Sequence, residues 1–207
     1  MKKIMFNDKY LLTESVLKGI KTQTRRIIKI KPEVLRKFQD EYYTATLDFL
    51  EGLDLIQAYF LNNPQKIPYK VGEIVAIAQS YKNAGFNPNS LIPTGDGHKI
   101  AAYNHKGWTN KMFVKPELMP NRIQIKGWRI ENLQDISDED CLKEGIIKDM
   151  RYYFRENVKQ TTGDTLVLRC NYDTPREAYA DLIDNVSGKG TWEMNKYVFA
   201  YDFKLVG

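Results

Sequence analysis

The sequence predicts an α+β fold in which a small, mixed, barrel-like β-sheet is surrounded by helices. Three observations carry this expectation. Strand-period segments lie in the middle and at the end of the chain, at "NRIQIKGWRI" (121–130) and "KYVFAYDFKLV" (196–206). Two segments between them, "SDEDCLKEG" (137–145) and "TPREAYADLIDNVSG" (174–188), carry complete helix start and stop signals. Helices do not alternate regularly with strands, which disfavours a doubly wound parallel sheet. With 207 residues and no internal repeat or linker-like stretch, one domain over 1–207 is expected.

Taken in order, residues 9–19 read as a short helix. Leu11, Leu12, Ser15, Val16 and Ile20 sit at roughly helical spacing, and Gly19 is the stop. "TQTRRI" (22–27) alternates β-branched and polar residues and predicts a short strand. Residues 32–62 predict one or two helices outside the sheet, opened by Pro32. "VGEIVAIA" (71–78) is a turn into a buried strand, and the Asn-, Gly-, Pro- and His-rich stretch 83–110 reads as a long loop. "KMFVKPELMP" (111–120) and the segment after it alternate. In the latter Ile123, Ile125, Trp128 and Ile130 mark an inward face, and Gly127 suits a bulge. Ser137 caps the next helix, Asp138 to Asp140 complement its dipole, Asp140 completes a capping box and Gly145 ends it. Thr174 caps the last helix, with Pro175 at its first position and Ala178, Leu182, Ile183 and Val186 as its buried stripe.

Composition excludes several classes of protein. Hydrophobic residues at 43% and charged residues at 28% are those of a folded globular chain. The net charge of +5 favours anionic partners. Cys141 and Cys170 are too few for a disulfide scaffold and form no CxxC, so both are expected as core packing in a reduced, cytoplasmic protein. Lys2 and Lys3 are followed by Asn7, Asp8 and Lys9 rather than an apolar signal core, and no apolar run reaches 18 residues, so no membrane partner is expected. His98 and His105 lack a third ligand, and neither a metal nor a cofactor is expected.

The segment with most chemistry is "KGIKTQTRR" (18–26), with four cations, two threonines and a glutamine. In a regular strand Thr22, Thr24 and Arg26 point one way, and Gln23 and Arg25 the other, with Lys21 sharing the second face. Lys21 and Thr24 therefore meet one ligand only if the chain bends before the strand, as Gly19 permits. Glu144 stands at the C-terminal end of its helix, where the dipole disfavours a negative charge, which marks it as a candidate for function. Trp192 in "GKGTW", beside Lys189 and two glycines, is a candidate for close approach to a ligand. Trp108 and Trp128 read either as base-stacking surfaces or as core.

"GIKTQTRR", "VGEIVAIA", "LQDISDEDCLKEGI" and the closing "YVFAYDFKLV", in this order, resemble the ASCH domain family, a branch of the PUA-like superfamily of RNA-associated β-barrels. "NKMFVKPELMPNRIQI" and "GKGTW" resemble its phage and prophage members in particular. The resemblance implies a PUA-like mixed barrel, with 31–68, 83–110 and 149–173 as insertions. It also implies RNA, a nucleotide or a modified nucleoside as ligand. One ASCH branch removes the acetyl group from N4-acetylcytidine without a metal. The resemblance to it implies catalytic roles for Lys21, Thr24 and Glu144, with Thr22 and Arg26 binding the ligand; Arg25, Lys189 and Trp192 join them as ligand-binding candidates from their charge and setting. The chemistry is consistent: a threonine hydroxyl needs a base, lysine becomes one when burial or nearby cations lower its pKa, and a glutamate can protonate the leaving amine. A binding-only or ribonuclease-like protein that uses the same cations on phosphate, and a phage-encoded adaptor contacting a protein through the insertions, stay open as alternatives.

Overall fold

The structure, a computed structural model, describes residues 1–160 and 165–206. Along the first half run β1 (Lys3–Ile4), α1 (Leu12–Leu17), β2 (Gln23–Ile27), α2 (Pro32–Thr46), α3 (Gly52–Asn62) and β3 (Ile74–Ile77). Then come β4 (Leu91–Pro93), β5 (Lys99–Ala101), β6 (Arg122–Asn132), α4 (Asp138–Lys143), β7 (Ile147–Asp149) and β8 (Tyr152–Gln160). The chain closes with β9 (Thr165–Tyr172), α5 (Pro175–Ser187) and β10 (Tyr197–Val206). This is an α+β protein.

The central sheet has the order β1-β3-β6-β10-β2. The β1–β3 pair is parallel and the other pairs are antiparallel. Its two longest strands, β6 and β10, are those whose alternation was plainest, and they sit next to each other with a register shift between Asp202 and Phe203. The shift leaves Lys126 unpaired beside Gly127, the bulge that glycine predicts. Among the described residues no strand pairing joins the edge strands β1 and β2, so the sheet is open where a closed barrel was expected. A side chain spans the gap instead: Arg26 Nη2 donates to the carbonyl of Met5, just past β1, at 2.7 Å.

Direct partners in an antiparallel ladder project to the same face. Tyr201 is paired with Thr24 and Trp128, and Phe199 with Arg26 and Ile130, so these six side chains share one face. Helix α3 covers it. Phe60 meets Phe199 edge-on at 4.6 Å, and Ile56, Tyr59 and Phe60 are core residues. The segment 31–68 therefore closes the core rather than lying outside the sheet, because α3 is apolar where it faces Phe199 and only α2, packed on it through Phe38 and Tyr59, stays peripheral.

Three further expectations need correction. Residues 83–110 form more than a loop: the β4–β5 hairpin and short 3-10 turns pack Ile92 and Ala102 with Tyr81, Val114 and Met119 into a second apolar cluster. Residues 111–120 are not a strand but two 3-10 turns, Lys111–Phe113 and Pro116–Leu118, since Pro116 and Pro120 lack the N–H a ladder needs. Asp140 completes no capping box. Ser137 Oγ accepts from the Asp140 N–H at 3.2 Å, but the Asp140 carboxylate turns to arginines instead. At α5 the box is complete, between Thr174 and Glu177. The described residues of 149–173 supply β8, β9 and the end of β7, which pair as a three-stranded sheet in the order β7-β8-β9. No helix among the described residues is long and apolar enough to cross a membrane.

Candidate functional site

The chain leaves α1 through Gly19, whose φ of +72° few other residues adopt. The N–H groups of Ile20 and Lys21 both donate to the Ser15 carbonyl, which folds Lys21 back before β2 begins. Thr22 then joins two elements with its backbone: its N–H donates to the Lys143 carbonyl at 2.9 Å, and its carbonyl accepts from the Phe203 N–H at 2.9 Å. Lys21 consequently reaches the C-terminal end of α4. Its Nζ donates to the Glu144 carbonyl at 2.8 Å and to Glu144 Oε2 at 2.5 Å.

This contact explains why an acid can stand at a helix C-terminus. The last carbonyls of a helix lack partners and carry partial negative charge, so an ammonium group placed there is favourable. Lys21 supplies it, and it neutralises Glu144 at the same time. Both side chains are almost fully buried, Lys21 at 2% and Glu144 at 4% exposure. Gly145, at φ +101°, turns the chain away beside Lys21, with Leu12 Cδ2 3.4 Å from where a Cβ would stand.

On the other face of β2 from Thr24, Arg25 is the hub of an ion network. Its guanidinium contacts Glu131 Oε1 at 2.6 Å, Asp140 Oδ2 at 3.1 Å and Glu144 Oε1 at 3.2 Å, and it donates to Gln23 Oε1 at 2.5 Å. Arg129 reinforces the far side through Glu131, at 2.6 Å, and Asp140. Burial opposes the charge on Arg25, and Glu144 and Glu131 more than compensate, so its pKa is raised. Burial likewise opposes ionisation of Asp140, but Lys143, Arg25 and Arg129 hold its carboxyl down at about 2. Lys21 goes the other way. Its burial lowers the ammonium pKa, Glu144 resists, Arg26 and Arg25 push it lower still, and the net shift is downward.

Lys21 and Glu144 lie on the wall of a cleft of about 840 Å³ between β2 and its continuation, α5, and the loop after α5. Its lining includes Lys21, Arg25, Arg26, Lys29, Lys189 and Lys196 against a single acid, Glu144. The lysines at 29, 189 and 196 are exposed at the rim. Among the described residues no group of three or more His, Cys, Asp or Glu side chains could hold a metal.

Of the residues singled out in the sequence, Lys21, Thr24, Arg25, Arg26, Glu144 and Lys189 line this cleft. Lys21 and Glu144 touch. Thr24 lies on the Tyr201 face of β2 and its hydroxyl makes no hydrogen bond to either of them among the described residues. Thr22 is not part of the lining, and its backbone has the structural task given above. Trp192 is not part of it either. Its ring packs edge-on against Tyr179 at 6.1 Å and under the Arg176 guanidinium at 5.6 Å. In the glycine-flanked loop Asp184 accepts from the backbone N–H groups of Gly190 at 3.0 Å and Trp192 at 2.7 Å, so these two amides are already engaged.

Sequence reading missed Glu131, Asp140 as an ion partner, and Tyr179. Glu131 shares Arg129's face of β6 and pairs with it, but nothing local announces its other partner, Arg25. Tyr179 had a signal: it lies three and four residues before Leu182 and Ile183, on the stripe assigned to α5. Comparison of the chain with protein-family models, with curated proteins and with solved structures returns no match.

Proposed function

We propose that the cleft binds a nucleoside or nucleotide unit, free or within RNA, and hydrolyses an amide on it in the manner of N4-acetylcytidine deacetylation. The observation that carries this reading is the buried Lys21–Glu144 contact on the wall of a cleft with six cationic side chains. Lysine is a base only when its ammonium form is disfavoured, and burial beside Arg25 and Arg26 does this. Neutral Lys21 takes the proton from the attacking hydroxyl, of Thr24 or of water. Glu144 takes that proton from Lys21 across their contact and passes it to the departing amine as the C–N bond breaks, which frees cytidine and leaves the acyl group on the attacking oxygen, as a carboxylic acid when water attacks. If Thr24 attacks, water then releases the acyl group from it. The order of the sheet and the Arg26 bridge across its open edge support an opened PUA-like barrel of ASCH type.

Incubation with N4-acetylcytidine and measurement of released cytidine tests the proposal. Wild-type turnover is expected, falling by about 10²–10⁴-fold in Lys21→Ala and in Glu144→Gln. Absence of turnover in the wild type rejects it. One observation favours a binding-only reading: Thr24 lies across β2 from Arg25 and has no hydrogen bond to Lys21. That reading expects single-stranded RNA to bind without turnover, with an affinity that falls steeply as salt rises.

A further inference from the structure

Tyr179 lies on the same cleft as Lys21 and Glu144 and belongs to neither the basic motif nor the ion network. It projects from α5 beside Ala178 and is 2% exposed. Its ring is fixed in place: the indole of Trp192 meets it at an interplanar angle of 80°, with the Arg176 guanidinium over that indole and the Trp192 backbone N–H donating to Asp184. Its hydroxyl is buried and has no hydrogen-bond partner among the described residues. A phenol taken out of water and given nothing in return is a feature folding alone does not favour.

The surroundings decide what such a hydroxyl can do. Burial, with Glu144 adding to it, raises the phenol pKa well above its ordinary value, so the group keeps its proton and acts as a donor. Glu144, the nearest acid on the cleft, already accepts from Lys21 and Arg25. The donor is left for something that enters the cleft, and Arg25 favours negative charge near it.

We propose that the Tyr179 hydroxyl donates a hydrogen bond to the acyl carbonyl oxygen of the bound amide and stabilises the negative charge that gathers there under attack. This rests on the amide-hydrolysis reading. As the carbon is attacked, the carbonyl π pair moves onto oxygen. As the C–N bond breaks, that pair re-forms the carbonyl, and the nitrogen takes its proton from Glu144. Tyr179 keeps its own proton throughout, so it is a hydrogen-bond donor to the oxyanion and not an acid catalyst.

Tyr179→Phe removes only the hydroxyl and tests this with N4-acetylcytidine as the probe. The expected result is a kcat about 100-fold lower, the scale of losing one oxyanion donor, with KM within about twofold of wild type. Because the hydroxyl has no internal partner, the melting temperature is expected to stay level or rise. Wild-type kcat in the variant, or a change confined to KM, overturns the proposal while leaving hydrolysis intact. A clear drop in melting temperature also overturns it, since the hydroxyl would then be bonded within the fold. A wild type that releases no cytidine removes the hydrolytic reading itself, and this proposal falls with it.

Discussion

Strands β2, β6 and β10 have two faces held by different physics. On one, Phe60, Phe199, Trp128 and Tyr201 pack edge to edge or stacked with ring centroids 4.6–5.7 Å apart. On the other, the Arg25 guanidinium is the common partner of Glu131, Asp140 and Glu144, with Arg129, Lys143 and Lys21 completing the charge match. Burial of rings is additive and undirected, so the aromatic face spreads its stabilisation over many contacts. Buried ions must be matched by opposite charge held at short range, so the polar face concentrates its stabilisation on the residue its acids share. The cleft opens at β2, where the two faces meet at a sheet edge. Groups held by such different means can be changed on one face with little effect on the other.

The largest expected effects probe each face separately. Arg25→Ala leaves three carboxylates buried without their common partner and is expected to cost about 3–5 kcal/mol in denaturant unfolding. Phe199→Ala, on the aromatic face, is expected to cost a similar amount, about 3–5 kcal/mol, through the cavity it leaves. The two differ in coupling. Adding Glu144→Gln to Arg25→Ala should give a non-additive total, with an interaction of about 0.5–3 kcal/mol. Additivity there would break the picture of a matched network.

Acid distinguishes the faces next. The Asp140 pKa of about 2 lies below the unfolded value of about 3.9. A depressed carboxyl contributes its stability in full above the unfolded pKa and loses it as pH falls through the folded one. The contribution of this group should therefore fade between about pH 4 and pH 2, and an acid titration of Asp140→Asn should lack that part of the loss. Lys21 is also shifted down, but for a lysine the downward shift means that the fold disfavours the charged form. Turnover is expected to rise with pH, with a midpoint below the ordinary lysine value of about 10.4. A midpoint at or above that value would remove Lys21 as the base.

The smallest effect on stability is expected from Thr24→Val, a near-isosteric change at a hydroxyl without a bond to the pair, within about 1 kcal/mol. It is informative for chemistry instead. Loss of turnover assigns the attack to Thr24, and turnover near wild type assigns it to water.

How much of this was legible depended on the range of the interaction involved. The alternation of "TQTRRI" correctly separated Thr24 and Arg26 from Gln23 and Arg25, because side-chain direction in a strand is a local property. The bulge at Gly127 and the cap at Thr174 were legible for the same reason. Asp140 was misread because a local rule, the capping box, competed with a long-range ion pair. Arg25, 115 residues away, won. The loop at 83–110 hid a hairpin whose apolar partners, Tyr81, Val114 and Met119, lie outside it. Tyr179 fitted the helical stripe, but only the assembled cleft reveals that its hydroxyl is left without a partner.

The backbone bond from the Thr22 N–H to the Lys143 carbonyl has one more consequence. It ties the residue after position 21 to the residue before position 144, so main chain sets the spacing of the two. No side-chain substitution at either position removes that bond. The pair thus occupies a socket, and its occupants can be exchanged while the distance between them is kept. The cleft's chemistry can be re-equipped at two positions without rebuilding the fold that holds them.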